Sequence, residues 1–186
     1  MIVFENNLSL RKNIDKMAEN NVKYKRLLIQ QQGNESSVVD TLEEFNVVCQ
    51  EFPYKYLPET KEPAKRDWYD ENGEDVYIPA GGLKFKAYDL EVKLLYVGTE
   101  ADMATDIKNF VDFLYGRNTG GTANLKIYDE YTQTGRQGVF VQEVDNELLA
   151  YDDVNSDVIA QFKVKFRITD PVTPIVLVLP DGSGSE

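Results

Sequence analysis

The sequence predicts a mainly β, α+β domain: a β-sandwich or split barrel with one central packed α-helix. Residues 158–168 alternate without a fault, Val158, Ala160, Phe162, Val164, Phe166 and Ile168 on one face and Gln161, Lys163, Lys165 and Arg167 on the other. That is the period of a half-buried strand. Between Thr99 and Leu114, Met103, Ile107, Phe110, Val111 and Leu114 form one apolar stripe at helical spacing. Eleven Tyr, nine Phe and one Trp in 186 residues tilt the rest toward sheet. That length suits a single domain spanning 1–186 with a sizeable core.

In chain order, residues 1–21 read as an N-terminal arm. Within it Leu10, Ile14, Met17 and Ala18 sit at helical spacing behind Ser9, which predicts a short helix over Leu10–Glu19. Val22–Gln32 is an expected strand, Gly33–Ser37 a turn, and Phe45–Phe52 another strand.

Residues 53–82 change character. Pro53, Pro58, Pro63 and Pro79 remove ladder donors, and Lys61–Asp75 is densely charged around Trp68 and Tyr69. A long charged loop with large aromatics at its centre is a candidate interaction site, built from Arg66, Trp68 and Tyr69. Leu83–Val97 is an expected long strand. Leu83, Phe85 and Ala87 share one phase and Leu90, Val92, Leu94 and Tyr96 the other, so a bulge or break is expected at Tyr88–Asp89.

Thr99 is placed to cap the central helix, with Asp102 at capping-box spacing and Gly116 at the C′ position. Arg117–Asn124 is a glycine-containing connection. Ala123–Tyr128 and Gly138–Val144 are expected strands, joined through DEYTQTGRQ with its glycine in the turn. Asp145–Asp157 reads as an acidic loop ahead of the alternating strand. Residues 170–186 form a C-terminal arm, in which Ile175, Val176, Leu177 and Val178 lie between prolines, as suits an edge strand or a docking segment.

Composition narrows the chemistry. The chain holds no His, which removes the usual base of Ser and Cys nucleophiles and the commonest zinc ligand. Its one cysteine, Cys49, lies in the apolar NVVCQEF and reads as a small buried hydrophobe. No phosphate-cradling glycine motif is present. DENGED (70–75) and Asp153, Asn155 and Asp157 imitate parts of a calcium loop, but neither has the glycine and the bidentate glutamate where such a loop needs them. The expectation is no catalytic, cofactor or metal site.

With 32 acidic against 20 basic residues, a net charge of −12 disfavours binding to phosphate backbones. No apolar run approaches the roughly 18 residues of a membrane span. The N-terminal MIVFENNLSLRKN has no signal-peptide core, so a cytoplasmically made chain is expected.

The order strand (83–97), helix (99–115), strand, turn, strand (123–144) and long strand (158–168) resembles the N-terminal domain of distal tail proteins of long-tailed bacteriophages and the related tail-tube fold. KRDWYDENGEDVYIP (65–79) is similar to that family's charged loop before its long strand, and LKIYDEYTQTGRQGVFV (125–141) to the hairpin after its helix. The resemblance covers roughly residues 22–171. The chain ends before the carbohydrate-binding C-terminal domain that some members carry, and this favours a plain ring or tube role.

The resemblance implies a virion tail component made in the host cytoplasm. It implies a homo-oligomeric ring, a hexamer, associated with other tail or baseplate proteins around a DNA channel, with no sequence-specific nucleic-acid binding. At least one of the acidic segments Glu59–Asp75, Glu100–Asp106 and Asp145–Asp157 is then expected to face the channel, and the basic stripe Lys163, Lys165, Arg167 to face a neighbour or solvent. A tail terminator or a secreted tube subunit would share the fold. A carbohydrate-binding module or glycan-active protein, stacking sugars on Trp68 and Tyr69, is the alternative from another class.

Overall fold

In the computed structural model, residues 26–33, 37–152 and 157–179 are described. The predicted helix Leu10–Glu19, the start of the predicted strand Val22–Gln32, most of the turn Gly33–Ser37 and the terminal DGSGSE lie outside them. The described elements are β1 (Leu27–Gln31), β2 (Val39–Asp40), α1 (Thr41–Phe45), β3 (Val47–Glu51), β4 (Lys65–Arg66), β5 (Asp75–Val76), β6 (Tyr88–Thr99), α2 (Glu100–Leu114), β7 (Leu125–Asp129), β8 (Thr134–Asp152) and β9 (Asp157–Ile168). Among the described residues the architecture is mainly β, a curled antiparallel sheet with two helices, and the fold class is the mainly β, α+β one expected.

Among the described residues, seven strands pair in the order β2-β1-β7-β8-β9-β6-β3. Curling follows from connectivity. β2 and β3 lie at opposite edges of that order, yet only α1 and Asn46 separate them in sequence. A flat sheet would hold its edges roughly 29 Å apart at a strand spacing of about 4.8 Å. A five-residue helix spans only about 7.5 Å at 1.5 Å per residue. The sheet must therefore roll until its edges nearly meet, and α1 straddles the seam.

The sequence places a strand start at Phe45, whereas Phe45 closes α1. DTLEEF carries its own signals: the Asp40 carboxylate accepts from the Leu42 amide, and Asn46 takes the left-handed cap conformation at φ 54°. Those local bonds outweigh the β preference of the apolar residues that follow.

α2 fills the rolled sheet. Phe110 and Leu114 are buried, with Met103 and Ile107 packed at the margin. Phe113, which was not assigned to the stripe, is buried as well; its ring and that of Phe110 both meet Phe45 on α1, at 5.5 and 5.4 Å. Thr99 occupies the N-cap position, but its hydroxyl donates to the Asp102 carboxylate at 2.7 Å and accepts no backbone amide. The far end behaves as expected. Gly116 adopts φ 67°, its amide donates to the Phe113 carbonyl and that of Arg117 to the Asp112 carbonyl, the paired bonds of a Schellman end.

β6, β8 and β9 form the spine. β9 buries Phe162, Val164, Phe166 and Ile168 and β6 buries Tyr88, Leu90, Val92, Leu94 and Tyr96, paired from Tyr88↔Ile168 to Thr99↔Asp157. β6 begins only at Tyr88, so the phase switch there is a strand boundary, and Leu83–Ala87 lie outside the sheet. The segment 145–152, expected in an acidic loop, belongs to β8, which pairs with β9 from Val139↔Ile168 to Asp152↔Asp157. Its acids read as loop by composition. In the β8–β9 register Glu143 lies opposite Lys165 and Asp145 opposite Lys163, a pairing that composition does not show.

In the β7–β8 hairpin the left-handed turn residue is Gln133, at φ 54°, and the expected turn glycine, Gly135, sits inside β8. The chain needs a glycine there for another reason: a Cβ at 135 would stand 2.5 Å from the Ile175 carbonyl oxygen, where the C-terminal arm crosses. Gly138, at φ 61°, accompanies the register shift of this pair, a glycine bulge.

Candidate interaction surface

Residues 59–86 build a finger. The Lys86 amide donates to the Glu59 carbonyl, Lys61 to Lys84 and Tyr77 to Ala64, and Thr60 bridges Phe85. Above these rungs β4 and β5 pair Lys65 with Val76 and Arg66 with Asp75. The expected long charged loop is thus an irregular hairpin standing off the sheet. Prolines remove ladder donors, so the rungs are spaced out and no regular strand forms. Ion pairs stiffen it: Lys65 with Glu62 and Glu74 at 3.0 and 3.3 Å, and Lys86 with Glu59 at 2.7 Å.

Every residue from Ala64 to Ile78 is exposed. Tyr69 is 99% exposed and Trp68 46%, and the Arg66 guanidinium lies 5.8 Å from the centre of the Trp68 ring. The three candidate residues Arg66, Trp68 and Tyr69 therefore share the outer part of the finger, away from the core. Tyr77 and Ile78 add further exposed apolar surface beside them.

The C-terminal arm divides its apolar run. It bridges Arg136 at Pro174, and the Ile175 amide donates to the Gly135 carbonyl. Leu177 is buried and Ile175 half-buried, whereas Val176 and Val178 face outward, 69% and 70% exposed. Of the four candidates on this arm, two anchor it and two remain available to a partner. The segment is extended without forming an edge strand, because its single bridge ends at Pro174.

On β9 the basic stripe pairs with acids of β6. Lys163 meets Glu91 at 3.3 Å, and Lys165 and Arg167 meet Asp89 at 3.6 and 2.7 Å, all across the β6–β9 pair. Arg167 holds the Asp89 carboxyl below its usual range by donating a hydrogen bond to it. The basic stripe is matched within its own sheet, and alternation alone could not show which strand would lie beside it.

Sequence reasoning missed one buried polar cluster. Arg136 is 4% exposed; its Nη1 donates to the Gly135 carbonyl and its Nη2 to the Tyr54 hydroxyl, both at 3.0 Å. The guanidinium also lies 5.1 Å from the centre of the Tyr54 ring, and Lys55 stands 5.7 Å from the centre of the Tyr88 ring. Three separate segments build this cluster, so no local motif announces it.

Cys49 faces neither surface. Burial, reinforced by the nearby Asp129 carboxylate, pushes its thiol from 9.0 up to about 12. Among the described residues no three His, Cys, Asp or Glu side chains gather as a metal site would require, and no helix is long and apolar enough to cross a membrane.

No family model and no curated protein matches this sequence. A solved structure does. The fold is similar to that of a phage hub protein. SPP1 Dit (gp 19.1), described as a paradigm of the hub adsorption apparatus in phages infecting Gram-positive hosts, aligns with a TM-score of 0.51 at 16% identity. The alignment covers 80% of this chain and 51% of that one, so this chain spans about half the length of the hub protein.

Proposed function

We propose that this protein is a structural component of a phage tail, a distal-tail-like ring or tube-type subunit that packs against its own copies and neighbouring tail proteins around a DNA channel. One observation carries the reading: a fold similar to a phage hub protein over four-fifths of the chain, from which a finger rich in exposed aromatics projects. Exposed Trp and Tyr on a rigid support are the side chains that dominate interface energetics. The role is mechanical, with no catalytic residue, and the ring has six copies by its resemblance to distal tail proteins.

The acidic composition suits a channel. Carboxylates repel the phosphates of a passing duplex within about 8 Å at physiological salt. The exposed acids at Glu100 and Asp102 and on the finger are the side chains suited to line it. Against the glycan-stacking alternative stands Arg66, which covers one face of the Trp68 ring that a sugar would need. Size-exclusion chromatography with light scattering, followed by negative-stain images, tests the reading. A discrete ring is expected, and a chain that stays monomeric at high concentration and in every particle context overturns it.

A further inference from the structure

The Arg136 cluster holds a buried cation without its anion. Neither Arg136 nor Lys55 forms an ion pair among the described residues, and Arg136 Nε is buried with no hydrogen-bond partner. Glu59, whose carboxylate feels Lys55, is engaged by Lys86 at 2.7 Å. A buried guanidinium whose acceptors are a carbonyl and the phenols of Tyr54 and Tyr88 is costly, because neutral acceptors compensate its lost hydration poorly. The cluster nevertheless directs its charge outward. Arg136 donates to the Tyr54 oxygen, which leaves the Tyr54 hydroxyl hydrogen free and polarised for donation to a further acceptor. Tyr54 is half-buried, Lys55 beside it is exposed, and the Tyr88 phenol, raised by burial, feels the same guanidinium. A carboxylate is the ligand this arrangement recognises: an ammonium, a polarised phenol and a positive charge behind them.

The same chain carries the complementary surface. On the finger Asp67, Asp70, Glu71 and Asp75 are exposed and form no ion pair among the described residues, whereas Glu62 and Glu74 are engaged by Lys65 and Glu59 by Lys86. From Glu59 to Arg66 the finger reaches at most about 23 Å at 3.3 Å per residue, so its tip stands off its own sheet. A cationic, tyrosine-bearing cluster and an acidic, aromatic tip on one chain are complementary surfaces, and in the proposed ring each copy offers one to each neighbour. They suit a heterologous contact, tip of one copy onto the cluster of the next, repeated until the rotation closes.

We infer that the finger tip Asp67–Asp75 of one copy docks its carboxylates on the Tyr54–Lys55 surface of the adjacent copy, over the buried Tyr88 and Arg136. This rests on the proposed ring and specifies its contact. Trp68 and Tyr69 then pack on the exposed Tyr56 at the edge of that surface, and Arg136 beneath it gains an anion that it lacks among the described residues.

The test is a charge swap in the full-length chain, read by sedimentation velocity over a concentration series. Lys55→Glu reverses the docking surface, and Asp70→Lys with Glu71→Lys reverses the tip; all three positions are exposed. Each altered chain alone is expected to need on the order of 10- to 100-fold more protein to assemble, the effect of facing like charges across an interface. An equimolar mixture of the two is expected to recover assembly, since every contact then joins opposite charges. Wild-type midpoints in both altered chains, or a mixture that does not recover, would overturn the finger contact and leave the ring standing. A wild-type chain that never assembles would overturn both.

Discussion

The side-chain amide of Gln31 donates to the carbonyl oxygen of Phe113 at 2.7 Å, across 82 positions of sequence. β1 thereby adds a second donor to the Phe113 carbonyl, which also accepts from the Gly116 amide, and Asn118 accepts from the same amide nitrogen of Gln31 at 2.8 Å. Gln31 is buried, and its loss removes both bonds that tie β1 to the end of α2. Gln31→Leu is expected to lower stability by about 1–3 kcal/mol, the usual net worth of two hydrogen bonds at about 0.5–1.5 kcal/mol each. Urea denaturation checks it, and an unchanged midpoint would mean that water takes over the bond.

Phe110 is fully buried, its ring 5.4 Å from that of Phe45 and 6.1 Å from that of Phe162. It joins the helix at the seam to the spine strand β9. Phe110→Ala is expected to cost about 3–5 kcal/mol, because the rolled sheet can collapse only partly into the space. A loss below about 1 kcal/mol would show that α2 is not held by this stripe.

Gly116 is required twice. Its φ of 67° is left-handed, and a Cβ there would stand 2.4 Å from the Thr122 carbonyl carbon. Gly116→Ala is expected to destabilise by roughly 1–3 kcal/mol, since strain and steric conflict act together. The check is the thermal midpoint, compared with that of Gly73→Ala, where φ is also positive but nothing lies within 4 Å.

The Cys49 thiol, raised to about 12, stays protonated at pH 8. The native chain should therefore react with a thiol reagent far more slowly than the urea-unfolded one. Linkage has a definite sign here. The unfolded thiol ionises first as pH rises, so stability is lost progressively between about pH 8.5 and the native value. Cys49→Ser should abolish that part of the alkaline loss, which stability measured from pH 8 to 10 would reveal.

Trp68 is the chain's one tryptophan, so emission reports on the finger alone. A solvated spectrum is expected from the single chain and a blue shift on assembly. An unchanged spectrum in the assembled particle would remove the finger from the interface.

Where the sequence was legible, chemistry was local and repetitive. The alternation of 158–168 yields β9, buried at Phe162, Val164, Phe166 and Ile168, and the α2 stripe with Gly116 behind it yields the helix and its end. Other elements escaped because a nearer signal competed with composition. Phe45 looked like a strand start until Asp40 capped a short helix through it, and 145–152 looked like a loop until β9 lay beside it. Gly135 has turn chemistry, but what demands a glycine is the carbonyl of Ile175, forty residues on.

By itself the sequence determined the fold class, the packed helix and the exposed finger residues Arg66, Trp68 and Tyr69, because periodicity, capping and proline placement act within a few residues. The tertiary structure alone decided that the sheet rolls closed at α1, that the basic stripe of β9 is matched by Asp89 and Glu91, and that Arg136 is buried beside Tyr54 with no ion pair among the described residues. Each of those depends on which distant strands become neighbours. Pairing between distant strands is chosen by the energy of the whole core, and no short stretch of chain contains it.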